Sequence, residues 1–343
     1  MGRILRLIGM TFLALQCSAW AADRLQPGRD EDVLEILPAI RLTRPAAGAV
    51  VPKAADAAAV AVAARKDIAM ARQTGETRYW GRAQAALAPW WDRADAPADL
   101  AVLQATVQQG RHEFDASRKV LSSALARAAQ HAQGWLNLAS LERLSARYAE
   151  SLAACEAVAL AGQTLYANAC RLETQSLLGQ HGIATQGLLA LIAQTGDAGQ
   201  LGWLLSLLAE AQERAGRDGA AADAYLRSLA HEADLYTSIA YSDLLLRTGK
   251  PSKALQTLAA LPETDAVVLR RAAAWKRLGD ARWSGARALL RERMAELRRR
   301  GDDPALHGRE LALTALWLDD DAATALALAR TSLKLQREPL DWW

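Results

Sequence analysis

Apolar residues from about residue 57 onward recur every three or four positions, the spacing that places them on one face of an α-helix. Glycine interrupts this pattern at regular distances, at Gly179, Gly216, Gly249 and Gly279. The intervals are 37, 33 and 30 residues, which is the length of a unit made of two helices and a turn. One such unit cannot bury its apolar face alone, so several must stack. The pattern therefore predicts a stack of helix–turn–helix units.

The composition supports this prediction. Hydrophobic residues make up 51% of the 343 residues and charged residues 23%, which is typical of a folded chain. Alanine is abundant while valine and isoleucine are scarce, and alanine favours helices whereas β-branched residues favour strands. We therefore predict an all-α fold, an α-solenoid. The net charge of +3 is too small to indicate nucleic acid, which we do not expect as a partner.

Several units carry the residues of a known repeat at matching positions. In one unit, Trp135, Leu138 and Ala139 follow the spacing of a first helix, and Tyr148 opens the second helix. With these residues the sequence resembles the tetratricopeptide repeat family. The resemblance implies a right-handed solenoid of about seven to eight repeats over residues 57–343, with a concave groove that binds a segment of another protein. Other units match at Ala105, Phe114, Ser117, Leu121, Leu208, Ala209, Ala221, Tyr225, Tyr241, Ser242 and Ala254.

The first residues are typical of a secretory signal peptide. Arg3 and Arg6 precede an apolar stretch, Leu7–Leu15, and the small residues of Ala19–Ala21 fit a cleavage site. We expect residues 1–21 to be removed on export and the mature chain to be periplasmic.

A lipoprotein attached through Cys17 is the alternative, but the bulky Gln16 precedes this cysteine where lipid attachment requires a small residue. Residues 22–56 then form a lead-in, with a short helix and a linker rich in proline and alanine.

Removal of the leader leaves two cysteines, Cys155 and Cys170, fifteen residues apart. An even number of cysteines in an oxidising compartment is typical of a disulfide, and antiparallel neighbouring helices can bring such positions together. The alternative is two small buried thiols at a repeat boundary.

Sequence motifs for catalysis, cofactors and metals are missing. The chain has no zinc-protease, nucleophile-elbow or complete phosphate-loop motif, and its five histidines are scattered over separate units. We therefore expect no catalytic, cofactor or metal site and a non-catalytic interaction scaffold. An enzyme with an unrecognised site is the remaining alternative.

Three successive units share an aromatic and an acidic residue at matching positions of their first helices. Each aromatic precedes its carboxylate by seven residues, two helical turns, so both project from one face. The pairs are Tyr166 with Glu173, Trp203 with Glu210, and Tyr236 with Asp243. We predict that these six residues, with Asn137, Arg143 and Arg247, form a partner-binding groove. In the alternative interpretation the aromatics pack between repeats, and the acids are solvated or pair with Arg143, Arg214 or Arg247.

The segment 270–300 is strongly basic, with eleven Lys or Arg residues against three acids. Arg287, Arg291 and Arg298 share one face of a predicted helix. This basic surface suggests an alternative function, an assembly factor that docks on a membrane surface or an acidic complex. The other possibility is a solvated helix face balanced by nearby aspartates.

Overall fold

The computed structural model describes residues 54–299 and 308–337, with side chains from residue 57. The predicted signal peptide and nearly all of the lead-in lie outside these ranges. The all-α prediction is confirmed: within the described residues sixteen helices form eight hairpins and no strand occurs. The hairpins are α1 (Ala54–Thr74) with α2 (Arg78–Leu87), α3 (Ala98–Gly110) with α4 (Phe114–Arg127), α5 (Ala132–Leu144) with α6 (Tyr148–Leu160), α7 (Thr164–Leu177) with α8 (His181–Gln194), α9 (Ala198–Arg214) with α10 (Asp218–His231), α11 (Leu235–Arg247) with α12 (Pro251–Leu258), α13 (Asp265–Leu278) with α14 (Arg282–Arg299), and α15 (Gly308–Trp317) with α16 (Ala322–Leu335).

Each hairpin turns at a residue in the left-handed backbone conformation. At the α9–α10 turn, Gly216 has φ +70°. Its N–H donates to the Glu213 carbonyl at 2.9 Å, and the Arg217 N–H donates to the Gln212 carbonyl at 2.9 Å. These two bonds satisfy the last carbonyls of the first helix and stop it. The regular glycines of the sequence are these turn positions, and in three hairpins His112, Ala146 or Asp320 takes the same conformation.

Ala146 offers a direct test of this turn geometry. The residue has φ +56°, where a Cβ is strained, whereas glycine adopts the conformation freely. We expect Ala146→Gly to raise the free energy of unfolding by roughly 0.5–1 kcal/mol in urea titration. The matched reverse change is Gly216→Ala, whose added Cβ would meet no atom within 4 Å, so only backbone strain should lower its stability. A destabilised Ala146→Gly protein would contradict this account.

Small residues allow the helices to pack closely. Ala209, Ala221 and Ala254 are fully buried in the largest core cluster, together with leucines of the first helices. Buried serines bond across helix pairs, as Ser117 Oγ donates to the Ala105 carbonyl at 3.0 Å. The alanine-rich composition therefore reflects close helix–helix contacts.

Cys155 of α6 and Cys170 of α7 form a disulfide, with 5.6 Å between their Cα atoms. Both residues are buried. The bond joins the second helix of one hairpin to the first helix of the next, and so ties two consecutive hairpins together covalently.

Both ends of the described stack also touch hairpins that are distant in sequence. A Cβ placed on Gly75, directly after α1, would lie 3.3 Å from Thr264 Cβ and 3.5 Å from Leu235 Cδ2. Thr264 caps α13 and Leu235 opens α11. After α16, the Arg337 N–H donates to the carbonyl of Leu144, the last residue of α5, at 2.7 Å. We call these two contacts the closure contacts.

Candidate functional site

A cavity of about 870 Å³ lies along the first helices of the middle hairpins, α5, α7, α9 and α11. Eight of the nine predicted groove residues line this one cavity: Asn137, Arg143, Tyr166, Glu173, Trp203, Glu210, Tyr236 and Asp243. The ninth, Arg247, does not. The seven-residue spacing therefore brought the aromatic and acidic residues to one surface.

The aromatic residues combine packing with exposure. Tyr166 and Trp203 contact each other with ring centroids 5.4 Å apart, so these two rings fill the space between α7 and α9. Gln200 Nε2 donates to the Tyr166 hydroxyl at 3.3 Å. Tyr236 is 63% exposed, and its hydroxyl donates to Glu210 Oε1 at 2.7 Å. The three aromatic residues therefore form one surface, in which Tyr166 and Trp203 pack against each other and Tyr236 is exposed.

The acidic residues do not form a row of unpaired carboxylates. Glu173 pairs with Arg143 of the preceding first helix, with 2.8 Å between Arg143 Nη2 and Glu173 Oε2. Glu210 pairs with Arg214 at 3.2 Å. In both cases the alternative interpretation named the arginine found here. The acids therefore neutralise arginines of the cavity wall before any ligand arrives.

Asp243 has a different partner from the predicted one. Arg270 of α13 donates from Nε and Nη2 to the two carboxylate oxygens of Asp243, both at 2.8 Å. Arg270 is only 3% exposed. Sequence reasoning counted this arginine with the basic surface, but it is a buried link between α11 and α13.

Arg247 is not among the residues that line the cavity. Its guanidinium pairs with Glu213 at 3.1 Å and with Asp218 at 2.7 Å, because it projects toward the adjacent α9–α10 hairpin. Burial raises the pKa of Glu213, although its hydrogen bonds with Arg247 and Tyr225 oppose this effect. Tyr225, itself buried, donates to Glu213 at 3.0 Å.

Asn137 is fixed within the wall. Its Nδ2 donates to Thr106 Oγ1 at 2.8 Å, and its Oδ1 accepts from Gln133 Nε2 at 2.8 Å. The Asn137 backbone carbonyl accepts from Gln109 Nε2 at 3.0 Å. This amide stabilises the packing of α3 against α5 and shapes the cavity.

Arg72 is one of the lining residues that the sequence did not predict. It lies near the end of α1, yet it faces the cavity formed by four helices much later in the chain. Helical periodicity within one unit cannot predict this position, because it depends on the closure contact between α1 and the hairpins of α11 and α13.

No protein-family model matches the chain, and no curated protein matches it in sequence. Solved structures do match. The chain is similar to a Rap protein complexed with Competence and Sporulation Factor, at 10% identity and a TM-score of 0.56, over 83% of this chain and 88% of that one. It is also similar to a tetratricopeptide repeat protein from Parabacteroides merdae, at 12% identity and a TM-score of 0.44, over 69% and 93% of the two chains.

The chain has a tetratricopeptide-repeat fold. Its eight described hairpins fit this fold, in which stacked first helices present one continuous surface.

Most basic side chains of the segment 270–299 bond to other residues of the protein. Arg287 and Arg291 of α14 both pair with Asp319 in the α15–α16 turn, the latter at 3.1 Å. Lys276 pairs with Asp320 of the same turn at 2.7 Å. Arg298 is exposed. The structure therefore assigns two of the three predicted surface arginines a role in attaching the last repeat.

Within the described ranges, none of the repeat helices is long and apolar enough to cross a membrane. Among the same residues, no group of three or more potential metal ligands comes together.

Proposed function

We propose that this protein is a non-catalytic interaction scaffold of the periplasm, which binds a segment of a partner protein in the cavity of the middle repeats. The observation that carries the proposal is the aromatic surface of Tyr166, Trp203 and Tyr236 in a cavity of about 870 Å³. Exposed aromatic side chains on a rigid support are typical of binding surfaces, where a few such residues supply most of the affinity.

Two further observations support the proposal. The Rap protein, which matches this chain over most of its length, was solved as a complex with Competence and Sporulation Factor. Proteins with the tetratricopeptide-repeat fold are mostly non-catalytic scaffolds. For the location, the disulfide between Cys155 and Cys170 supports an oxidising compartment, as does the leader-like N-terminal sequence.

Crosslinking pull-down from periplasmic extract tests the proposed function. We expect Trp203→Ala and Tyr236→Ala to reduce recovery of a bound partner by about tenfold or more, because truncation of a central aromatic anchor typically costs 2 kcal/mol or more. The control is Leu160→Ala, which removes a 74% exposed apolar side chain outside the cavity. Circular dichroism first establishes that the variants are folded. Equal recovery by wild type and both aromatic variants would contradict the proposal.

A further inference from the structure

One side of α16 lacks the cover that the next hairpin gives to earlier second helices. In α6, Cys155 lies nine residues after the left-handed turn residue Ala146, and it is 2% exposed because α7 packs against it. The equivalent residue of α16, Ala329, lies nine residues after Asp320 and is only half-buried. About one turn before it, Leu326 is 53% exposed. The described residues contain no hairpin after α16, so this side of the helix is open.

The open side is apolar at its start and basic toward its C-terminal end. Its positions follow at intervals of three or four residues, so they project from one face of the helix. They are Leu326, Ala329, Arg330 and Leu333, which we call the open stripe. Lys334 lies next to the stripe and is exposed, like Arg330. Among the described residues, no carboxylate pairs with either of these two cations.

The sequence directly after α16 has the complementary chemistry. Residues 338–343, which lie outside the described ranges, read Glu-Pro-Leu-Asp-Trp-Trp. The segment thus carries two acids, one leucine and two tryptophans, and it has no basic residue. Carboxylates attract arginine and lysine, while tryptophan rings bury a large apolar area and bind guanidinium groups on their faces. The charge and the apolar content of the segment therefore match those of the open stripe.

The segment is also long enough to reach along the stripe. Gln336 directly follows α16 and has extended backbone, with φ −139° and ψ 148°, so the chain has left the helix before Arg337. Leu326 lies eleven residues before Arg337, which is about 17 Å along the helix axis. Six extended residues span about 20 Å. A segment that runs back antiparallel to α16 therefore brings Asp341 near Arg330 and the tryptophans near Leu326.

We propose that residues 338–343 fold back along the open stripe of α16 and cover it, with Asp341 on Arg330 and the two tryptophans on Leu326. The segment takes the place that the next first helix has in earlier hairpins. Repeat arrays need a polar outer surface at their ends, and an uncovered apolar face favours association with other molecules. The open stripe does not line the cavity, so this inference is independent of the proposed function.

Photo-crosslinking in the full-length protein tests the contact. A benzophenone amino acid is incorporated at position 326, and the irradiated protein is digested and read by mass spectrometry. Trypsin cleaves after Arg337, so residues 338–343 are recovered as a separate peptide. We expect a crosslink within one chain between α16 and this peptide. Absence of this crosslink would overturn the proposal, and so would a crosslink between two chains whose yield rises with protein concentration, because a second copy would then cover the stripe.

The same probe at position 160 is the matched control. Leu160 is 74% exposed and lies on α6, away from the open stripe. We expect no crosslink from this position to residues 338–343. Equal crosslinking from positions 160 and 326 would overturn the proposal, because the segment would then have no preferred contact.

Hydrogen exchange measured by mass spectrometry tests what the contact does for the helix. We expect the double variant Trp342→Ala with Trp343→Ala to exchange the amides of α16 at least tenfold faster than wild type, because burial of one large apolar side chain changes a local opening equilibrium by this factor or more. Leu226→Ala is the matched control, since it removes a 55% exposed leucine from another second helix, α10. Unchanged exchange of α16 in the tryptophan variant would overturn the proposal.

A charge swap tests the pairing of Asp341 with Arg330. We expect Arg330→Glu and Asp341→Arg each to speed the exchange of α16 about two- to fivefold, the effect of a solvent-exposed ion pair, and the double variant to restore the wild-type rate. Lys253→Glu reverses an exposed charge on α12 and should leave α16 unchanged. A double variant that exchanges as fast as the single variants would overturn the assigned pair.

Discussion

Asp243→Ala is expected to lower the free energy of unfolding by about 3–5 kcal/mol, the range found when one member of a buried ion pair is removed. Arg270 is 3% exposed, and Asp243 is its carboxylate partner through two hydrogen bonds of 2.8 Å. Without the carboxylate, the guanidinium stays buried and loses its two ion-pair hydrogen bonds, and only the charge of Glu310, the Ala266 carbonyl and the Trp317 ring remain to stabilise it. Urea titration followed by circular dichroism measures the change, and the slope of the transition shows whether unfolding stays two-state.

An exposed pair in the same fold provides the control. Asp223 and Arg227 lie 3.5 Å apart on α10, with both side chains at least half exposed. Asp223→Ala should change the stability by less than about 1 kcal/mol, because water and salt already weaken this attraction. The double variant Asp243→Leu with Arg270→Met should recover much of the loss, since no buried charge is left. Similar small effects of Asp243→Ala and Asp223→Ala would contradict the buried-pair account.

This expectation determines how binding to the cavity should be tested. Charge reversal at Glu173, Glu210 or Asp243 would place a lysine beside the arginine that each acid neutralises. A loss of binding in such variants would then indicate that the structure of the protein is disrupted. The aromatic residues are better probes because their side chains do not neutralise a buried charge.

Removal of the Cys155–Cys170 disulfide is expected to lower the free energy of unfolding by about 3 kcal/mol, as for a closed loop of about 15 residues. The sequence separation of these cysteines is 15 residues. The bond restricts the unfolded chain, and it also holds α6 against α7 beside the cavity, where Cys170 is part of the lining. Serine at both positions, compared with wild type in urea with and without dithiothreitol, measures the effect.

Two comparisons control this experiment. Dithiothreitol should destabilise wild type and leave the double serine variant unchanged, because the reductant acts only on the disulfide. Should oxidised wild type and the serine variant unfold at the same urea concentration, the predicted contribution of the bond would be wrong.

The helix boundaries and turns were predictable because their signals are local. Gly179, Gly216 and Gly249 mark turns that need a left-handed residue, and the sequence shows them directly. Ala146 and His112 occupy the same turn position without that signal, so no glycine marks these two turns in the sequence. The fold class followed from periodicity and alanine content, which depend on neighbouring residues alone.

The candidate site was predictable only in part, for a physical reason. Spacing by two helical turns correctly placed Glu173 and Glu210 on the cavity face, but it says nothing about which side chains of adjacent helices face them. The partner of Asp243 comes from α13, and Arg72 enters the cavity from α1. The first depends on the packing of adjacent hairpins and the second on the superhelical path of the stack, and no single repeat encodes either.

The closure contacts change how this stack responds to thermal agitation. In a linear array the terminal unit has one neighbour instead of two, so it opens at lower free energy than the middle and frays first. Here, among the described residues, the first hairpin gains a second neighbour through Gly75 and Thr264, and the last gains one through Arg337 and Leu144. Each terminal opening must therefore also break a contact with a central unit. The ends and the middle of the described stack become energetically coupled, so that loosening at either end reaches hairpins whose first helices line the cavity.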